Sequence, residues 1–262
     1  MNEEENLNVS NESSVLGTLL LDIGISLLQA GANTGRTRAT ISDLAALYKY
    51  VPSISMGPRS ISLALSDRNG NTLFHGIRSA SLSATDFSVI SEMIGLSFKA
   101  SENGWSPQEL KREFTKCRVS RQYPRLVILC FVGLAGAAFC YTFGGSLVET
   151  AITFGATFTG LLVKQQLTKL SFNPYICTYI AAMSASLFTG LFHITGLINS
   201  PANAFSTCVL FLIPGVPLIN SFTDLMEGST LNGIVKGVTA SIHIFAIALA
   251  LLTTIVILNL KG

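Results

Sequence analysis

A cluster of polar and ionisable side chains follows a proline-glycine motif in the last quarter of the chain. The segment Phe205 to Gly228 is apolar up to Pro214-Gly215-Val216-Pro217, and two carboxylates and an amide follow. A carboxylate can bind an amine, a cation or a proton, and an amide adds a neutral donor and acceptor. A break in an apolar helix leaves peptide N–H and C=O groups without hydrogen-bond partners. At membrane depth such a break is tolerated only where protein or water surrounds it. The segment is therefore predicted to be a substrate-binding or gating site, formed by Pro214, Gly215, Pro217, Asn220 and Asp224.

A proline kink that only helps helices to pack is the alternative interpretation of this motif, since such kinks are common in membrane helices. Four other ionisable side chains lie within or beside apolar segments. A charge at the bilayer centre costs about 2.5 to 3.5 kcal/mol on insertion scales, and histidine titrates near neutral pH. We therefore consider them candidates for proton coupling, with an interfacial position or a satisfied hydrogen bond as the alternative: His193, His243, Glu149 and Glu227.

The remaining sequence lacks the patterns typical of an enzyme or a metal protein. His75 is the only histidine before residue 126, no cysteine stands beside a base, and no glycine-rich loop follows a strand. The five cysteines have no C-x-x-C spacing and are expected to act as small apolar residues. We therefore expect no catalytic residues, no metal and no cofactor. Arg36, Arg38 and Arg78 could face an anionic ligand, although scattered arginines are more often solvated.

The distribution of charge divides the chain into two parts. Of 17 Lys and Arg residues, 13 precede Leu126, as do 12 of the 15 Asp and Glu residues. With 49% apolar and 12% charged residues the chain is too hydrophobic for an ordinary soluble domain, and a net charge of +2 is too small to indicate nucleic acid. We predict a cytoplasmic α+β domain over 15–122 and a transmembrane helical domain over 123–262. The acidic residues 1–14 are predicted to be a disordered tail rather than a signal peptide.

The predicted α+β domain combines helical periods with a strand hairpin. Helices are expected from Val15 to Gln29 and from Thr34 to Tyr50, with a break at the prolines that follow. Alternating apolar residues predict a strand over 60–66, and a turn with Asp67 and Gly70 predicts its partner over 72–78. A further helix is expected over 85–100. Ser106, Pro107 and Glu109 then form the sequence pattern of a capping box, which predicts a helix start.

Five segments of the second part are long and apolar enough to be membrane spans. Six basic residues precede the first segment, which favours a cytoplasmic position for that end, and small residues four apart predict close helix packing. Successive loops then place Lys164, Lys169 and Lys236 inside and the C-terminus at Lys261-Gly262 outside. The basic residues are Lys111, Arg112, Lys116, Arg118, Arg121 and Arg125. The predicted spans are 126–143, 147–167, 174–194, 201–222 and 239–260, and the fourth of them carries the break.

Four stretches of the chain together resemble the threonine/serine exporter family, specifically its N-terminal half. They are LLLDIGISLLQAGANTGRT, the hairpin, KREFTKCRVSRQYPR and LFLIPGVPLINSFTDLMEG. The resemblance extends from about Val15 onward and implies a cytoplasmic domain followed by about five spans. It also implies that a small partner membrane subunit supplies a second block of helices, as in the split exporters that export a dicarboxylate such as succinate. Carried over by motif, Pro214, Gly215, Pro217, Asn220 and Asp224 are the residues to test.

The leading functional hypothesis is a subunit of a secondary transporter that exports a threonine- or serine-like amino acid or a dicarboxylate across the bacterial inner membrane. Discontinuous helices bind solutes near the bilayer midplane in other transporters. The alternative is a membrane-anchored sensor or hydrolase whose cytoplasmic domain carries the activity. That alternative requires a catalytic set within residues 15–120, and the sequence there contains none.

Overall fold

The computed structural model describes residues 3–81, 85–117, 123–198 and 202–259. Contacts between residues divide the chain into two compact units. The first, here the N-terminal unit, contains Met1–Arg121 together with Val216–Gly237. The second, the helical unit, contains Gln122–Gly215 and Val238–Gly262. The chain therefore leaves the N-terminal unit, enters the helical unit and returns to the N-terminal unit for a short segment.

The N-terminal unit is a small α+β fold in which helices surround a three-stranded antiparallel sheet. The strands have the order β1-β2-β3. The structure confirms the predicted hairpin, because Ser60–Ser66 pairs with Thr72–Ser79. The elements are α1 Glu3–Gln29, α2 Thr34–Leu47, β1 Val51–Gly57, β2 Ser60–Ser66, β3 Thr72–Ser79, α3 Phe87–Asn103 and α4 Pro107–Cys117.

Strand β1 lies where the sequence indicated only an interruption at Pro52 and Pro58. Among the described residues it pairs only with β2, so Pro52, which stands opposite Leu65, belongs to an edge strand. Proline is tolerated at a sheet edge because its missing N–H can point away from the ladder. The inner face of the sheet is formed on β2 by the alternating residues Ile61, Leu63 and Leu65, which are all fully buried.

Helix α1 packs against this sheet. Its segment Glu12–Gln29 is long and apolar enough to cross a membrane by length and composition. Nevertheless Leu20, Ile23 and Leu27 are fully buried in one core cluster with the β2 residues, which agrees with the prediction of a helix packed inside a domain. The helix begins at Glu3, so helical backbone covers most of the segment predicted as a tail.

The predicted capping box at the start of α4 is confirmed. The Ser106 N–H donates to Glu109 Oε2 at 2.8 Å, and the Glu109 N–H donates to Ser106 Oγ at 3.3 Å. Hydrogen bonds from the backbone and the hydroxyl of Ser106 hold the pKa of the Glu109 carboxyl below its usual value. A serine followed three residues later by glutamate was therefore a reliable local signal for a helix start.

The helical unit consists mainly of long apolar helices. Helices α5, α6 and α7 cover the first three predicted spans, and together with α10 and the α1 segment they are the five helices of the described residues that could cross a membrane. Helix α10 begins at Thr230 rather than at 239, so its first residues belong to the N-terminal unit. The elements are α5 Arg125–Thr142, α6 Leu147–Lys169, α7 Pro174–Ile194, α8 Ala202–Cys208, a 3₁₀ turn Leu210–Leu212, α9 Gly215–Met226 and α10 Thr230–Ile257.

Small side chains form the centre of the helical unit. Ala181, Ala182 and Ala185 on α7 are fully buried against Ala156 on α6 and Ala250 on α10. Small residues at helix contacts allow backbones to approach closely, which is the main source of helix association when no water is available to be excluded. The predicted stripe of small residues on α7 therefore forms a helix-packing face.

Several predicted features lie outside the described residues. These are the domain boundary at 122, Arg118 and Arg121 of the basic cluster, the first residue of the fourth span at Pro201, and the C-terminal Lys261 and Gly262.

Candidate functional site

The proline-glycine motif separates two helical segments. The 3₁₀ turn ends at Leu212, Ile213 is extended with ψ 125°, and α9 begins at Gly215. A residue before proline is disfavoured in the helical region, which accounts for the conformation of Ile213 before Pro214. Pro217 lies in the first turn of α9, where its missing N–H removes no helical hydrogen bond. The motif thus ends one helical segment and starts the next.

Helix α9 and the start of α10 form a tight hairpin within the N-terminal unit. Ser221 Oγ donates to the Gly233 carbonyl oxygen at 2.7 Å. A Cβ at Gly233 would lie 2.9 Å from the Ser221 carbonyl oxygen, so only glycine permits this approach. The Ser229 N–H donates to the Asp224 carbonyl oxygen at 2.8 Å and closes the turn. The hairpin places the predicted site residues Asn220 and Asp224 on α9 close to Asn232 and Lys236 on α10.

Asp224 is fully buried, and three donors bind its carboxylate. The Thr34 N–H, at the first position of α2, donates to Oδ1 at 2.9 Å, and the Thr34 hydroxyl donates to Oδ2 at 2.9 Å. Lys236 Nζ completes the set with an ion pair to Oδ2 at 2.7 Å. A carboxylate at the N-terminus of a helix satisfies unpaired N–H groups and interacts favourably with the helix dipole. Asp224 therefore acts as a long-range cap of α2.

Two asparagines extend this contact. Asn220 Nδ2 donates to the Gly31 carbonyl oxygen at 2.7 Å, just before α2. Asn232 Nδ2 donates to Thr34 Oγ1 at 3.2 Å and to the Met56 carbonyl oxygen on β1 at 3.1 Å. The hairpin thus contacts α2 and the sheet through a group of buried and partly buried hydrogen bonds. We call the residues that form it the Asp224 network: Asn220, Asp224, Asn232, Lys236 and Thr34.

The structure separates the predicted site residues into groups. Asn220 and Asp224 lie together in the Asp224 network, whereas Pro214, Gly215 and Pro217 lie at the junction of the two helical segments. Gly215 has no atom within 4 Å of the position that a Cβ would occupy. The exposed Glu227 lies in the hairpin turn, with its carboxylate against Gly35 of α2.

His243 belongs to a row of polar contacts between α7 and α10 in the helical unit. Its Nδ1 lies 2.9 Å from Thr178 Oγ1, and its ring packs against that of Tyr175 at 4.8 Å between centroids. Further along the same two helices, Ser186 Oγ and Thr254 Oγ1 are 2.7 Å apart and both residues are fully buried. His243 is the basic side chain in this row.

The other two proton-coupling candidates bind local backbone groups. Glu149 is buried, and its Oε2 accepts from the Ser146 N–H at 2.7 Å in a capping box at the start of α6. His193 Nδ1 lies 2.8 Å from the Ile198 carbonyl oxygen, just beyond the end of α7. Both side chains therefore have partners that stabilise a helix end.

The sequence reasoning missed three members of the Asp224 network: Thr34, Asn232 and Lys236. The sequence predicts a loop position for Lys236, because the apolar pattern of the last span begins after it. The signal for Glu149 was present, since Ser146 and Glu149 have the same spacing as Ser106 and Glu109. No sequence pattern links Asp224 to Thr34, because the contact joins residues 190 positions apart.

No group of three or more His, Cys, Asp and Glu side chains within the described ranges could hold a metal ion. The cysteines in that part of the chain are free thiols.

Comparison with known proteins identifies similar sequences over nearly the whole chain. The model of a family described as "Putative threonine/serine exporter" matches residues 18–258. A protein of Klebsiella aerogenes named "Probable succinate transporter subunit YjjP" is 24% identical over 96% of this chain and 97% of its own length. The protein of the same name from Escherichia coli K12 is 25% identical over 93% of this chain and 95% of its own length. No solved structure matches the chain.

Proposed function

Because this chain belongs to the threonine/serine exporter family, we propose that it is the larger subunit of a secondary transporter that exports a small polar metabolite. The solute is a threonine- or serine-like amino acid or a dicarboxylate such as succinate. The chain acts with a second, small membrane subunit in the bacterial inner membrane. Its N-terminus lies in the cytoplasm and its C-terminus outside.

One observation carries this proposal: the similarity to two succinate transporter subunits covers 93–96% of the chain. A likeness of this extent includes both the N-terminal unit and the helical unit, so it is not restricted to a common membrane anchor. The word subunit in the names of these relatives supports the need for a partner.

The solute contact that we propose lies at Pro214, Gly215 and Pro217. Support comes from the extended backbone of Ile213 and from the open space around Gly215. Interrupted helices leave peptide groups that can bind a solute, and they are tolerated in a membrane only beside a cavity or protein. Asn220 and Asp224 would hold the adjoining helix in place, since their polar atoms already bind the N-terminal unit.

His243 is the residue that we propose for proton coupling. An ionisable side chain inside an apolar helix is costly and is usually retained for function. Its contacts with Thr178 and Tyr175 give it hydrogen-bonding and aromatic neighbours on α7. Glu149 and His193 have partners that account for them as helix-end residues, and the exposed Glu227 lies outside the apolar helices.

Efflux from cells loaded with threonine or succinate tests the function. Cells with this chain and its partner should export at least one of the two solutes, and cells without the chain should not. Gly215→Leu should lower the export rate at least about tenfold, which corresponds to about 1.4 kcal/mol in the barrier. Gly95→Leu on α3 is the matched control, because a Cβ at Gly95 also meets nothing within 4 Å. Equal export by the two variants would exclude Gly215 from the solute path.

The pH dependence of export tests His243 separately. His243→Gln keeps a polar side chain but removes the ionisable imidazole, so the pH dependence of export should flatten. His75→Gln, at an exposed position on β3, should leave the pH profile unchanged. An unchanged profile in His243→Gln would show that the coupling group is another residue.

A further inference from the structure

A polar cleft of about 370 Å³ lies within the N-terminal unit, next to the Asp224 network. Its walls come from α2, from β1 and from the turn that leads into α10. A volume above about 300 Å³ is sufficient for a small metabolite. The side chains that matter for its chemistry are Arg38, Ser55, Ser229, Thr230 and Asn232.

Arg38 gives the cleft a positive charge at a fixed position. Its Nη1 donates to the Ile54 carbonyl oxygen on β1 at 2.8 Å, which holds the guanidinium at the strand edge. None of the ion pairs found in the described part of the chain involves Arg38. Two acidic groups of the same unit have other neighbours, since Asp224 pairs with Lys236 and Glu227 lies against Gly35. Arginine's remaining donors suit the planar geometry of a carboxylate.

The first turn of α10 adds donors to the same wall. The helical ladder of α10 starts with the Gly233 N–H, which donates to the Ser229 carbonyl oxygen at 3.0 Å. The N–H groups of Thr230, Leu231 and Asn232 therefore have no partner within the helix, and the helix dipole favours an anion there. Helix α10 is 28 residues long.

Asn232 provides an independent indication of a ligand. The residue is only 4% exposed, and its Nδ2 has two acceptors, Thr34 Oγ1 and the Met56 carbonyl oxygen. Those two acceptors fix which end of the amide is nitrogen. Its Oδ1 is buried and has no hydrogen-bond donor among the described residues. A buried acceptor without a donor is costly and requires an explanation.

We propose that this cleft binds a small carboxylate that also carries an amino or hydroxyl donor, as an α-amino acid does. The carboxylate binds Arg38 and the first turn of α10, and the donor of the ligand satisfies Asn232 Oδ1. This proposal rests on the proposed export function only for the choice of ligand. In that function, the cleft would be the place where the N-terminal unit takes up the solute.

Titration calorimetry on the full chain purified in detergent tests the proposal with three probes: threonine, succinate and inorganic phosphate. Threonine should bind saturably and more tightly than the other two, because neither the succinate dianion nor phosphate offers both a carboxylate and a donor. Equal affinity for succinate or phosphate would overturn the role given to Asn232. Absence of saturable threonine binding would overturn the proposal as a whole.

Substitution of Arg38 tests the position of the site. Arg38→Gln should weaken threonine binding about tenfold or more, the usual effect of losing a hydrogen bond to a charged group. Arg38→Lys, which keeps the charge, should retain part of the affinity. Arg36→Gln on the same helix is the matched control and should change affinity less than about twofold, as expected for an exposed charge. Equal effects of Arg38→Gln and Arg36→Gln would place the site elsewhere.

Thermal unfolding of each variant checks that the fold is intact. Failure of this inference is distinguishable from failure of the proposed function, because binding is measured without transport. Export by cells combined with no threonine binding to the purified chain would overturn the cleft and leave the exporter function standing. Binding by a chain that does not export would support the cleft.

Discussion

The ionisable residues of the predicted site differ in the number and type of their hydrogen-bond partners. Asp224 lies in an apolar context in the sequence, which is typical of a transport residue. In the structure its carboxylate accepts two hydrogen bonds from Thr34 and pairs with Lys236. His243 instead contacts two side chains of α7, the hydroxyl of Thr178 and the ring of Tyr175. The number and type of partners thus favour a structural role for Asp224, whereas His243 is the residue that we propose for proton coupling.

The Lys236–Asp224 ion pair should be essential for stability. Lys236→Met leaves a fully buried carboxylate without its cation, which costs about 3 to 5 kcal/mol for a buried pair. We expect the thermal unfolding midpoint of the purified protein to fall by several degrees. The double variant Asp224→Asn/Lys236→Met should be less destabilised than Lys236→Met alone, because no unpaired charge remains buried.

Lys99→Met on α3 is the control for the Lys236 variant. Lys99 is exposed and belongs to none of the ion pairs found among the described residues. Its loss should change stability by less than about 0.5 kcal/mol. Similar unfolding midpoints for the Lys99 and Lys236 variants would mean that the buried ion pair contributes nothing to stability.

Local patterns predicted elements well and long-range contacts poorly. The capping box at Ser106 and the hairpin around Asp67 depend on residues a few positions apart, so their chemistry is visible in the sequence. Strand β1 was hidden because Pro52 was interpreted as a breaker, and only the sheet order makes it an edge strand. The Asp224 network was invisible because its partners are distant along the chain. Asn220 and Asp224 were thus recognisable by residue type, whereas their contacts were not.

At the scale of elements, the close approach of the α1 backbone to strand β3 determines how α1 packs on the sheet. A Cβ at Gly17 of α1 would overlap the ring of Phe74 on β3. The helix therefore sits closer to β3 than a side chain at this position would permit. The core residues Leu20 and Ile23 follow on the same helix, so this distance also determines their packing.

Gly17→Ala should consequently destabilise the N-terminal unit, although alanine is the better helix former. Overpacking at such a contact costs about 1 to 3 kcal/mol, more than the gain of about 0.5 to 1 kcal/mol from replacing glycine in a helix. Gly95→Ala on α3 is the matched change in open space, and it should be neutral or stabilising. Thermal unfolding of the two variants measures the difference, and a Gly17 variant as stable as the Gly95 variant would contradict the close contact.

At the scale of the whole molecule, the two units differ in what they bury. The core of the N-terminal unit contains large aliphatic side chains around a sheet, as in a water-soluble domain. The core of the helical unit is made mostly of alanine, while large apolar residues such as Phe131, Phe139 and Phe245 are exposed on its helices. Exposed large apolar side chains on long helices are expected where lipid replaces water as the solvent.

The proposed orientation can be tested with reporters at the two ends of the chain. A fluorescent protein that folds in the cytoplasm should be active when fused before Met1, and alkaline phosphatase, which requires the external compartment, should be active when fused after Gly262. The six basic residues that precede and begin α5 are the physical reason, because Lys and Arg near a span favour the cytoplasmic side. Phosphatase activity at the N-terminus, or its absence at the C-terminus, would reverse the orientation or change the number of spans.

The return of residues 216–237 to the N-terminal unit has a consequence for biosynthesis. A ribosome has synthesised all of α1 to α7 before it reaches Asp224 and Lys236. Until then the first N–H of α2 lacks its carboxylate partner, and the N-terminal unit is an unfinished fold. Completion of this unit must therefore wait until most of the membrane helices have left the ribosome, and a fragment that stops before residue 216 lacks the segment that closes it.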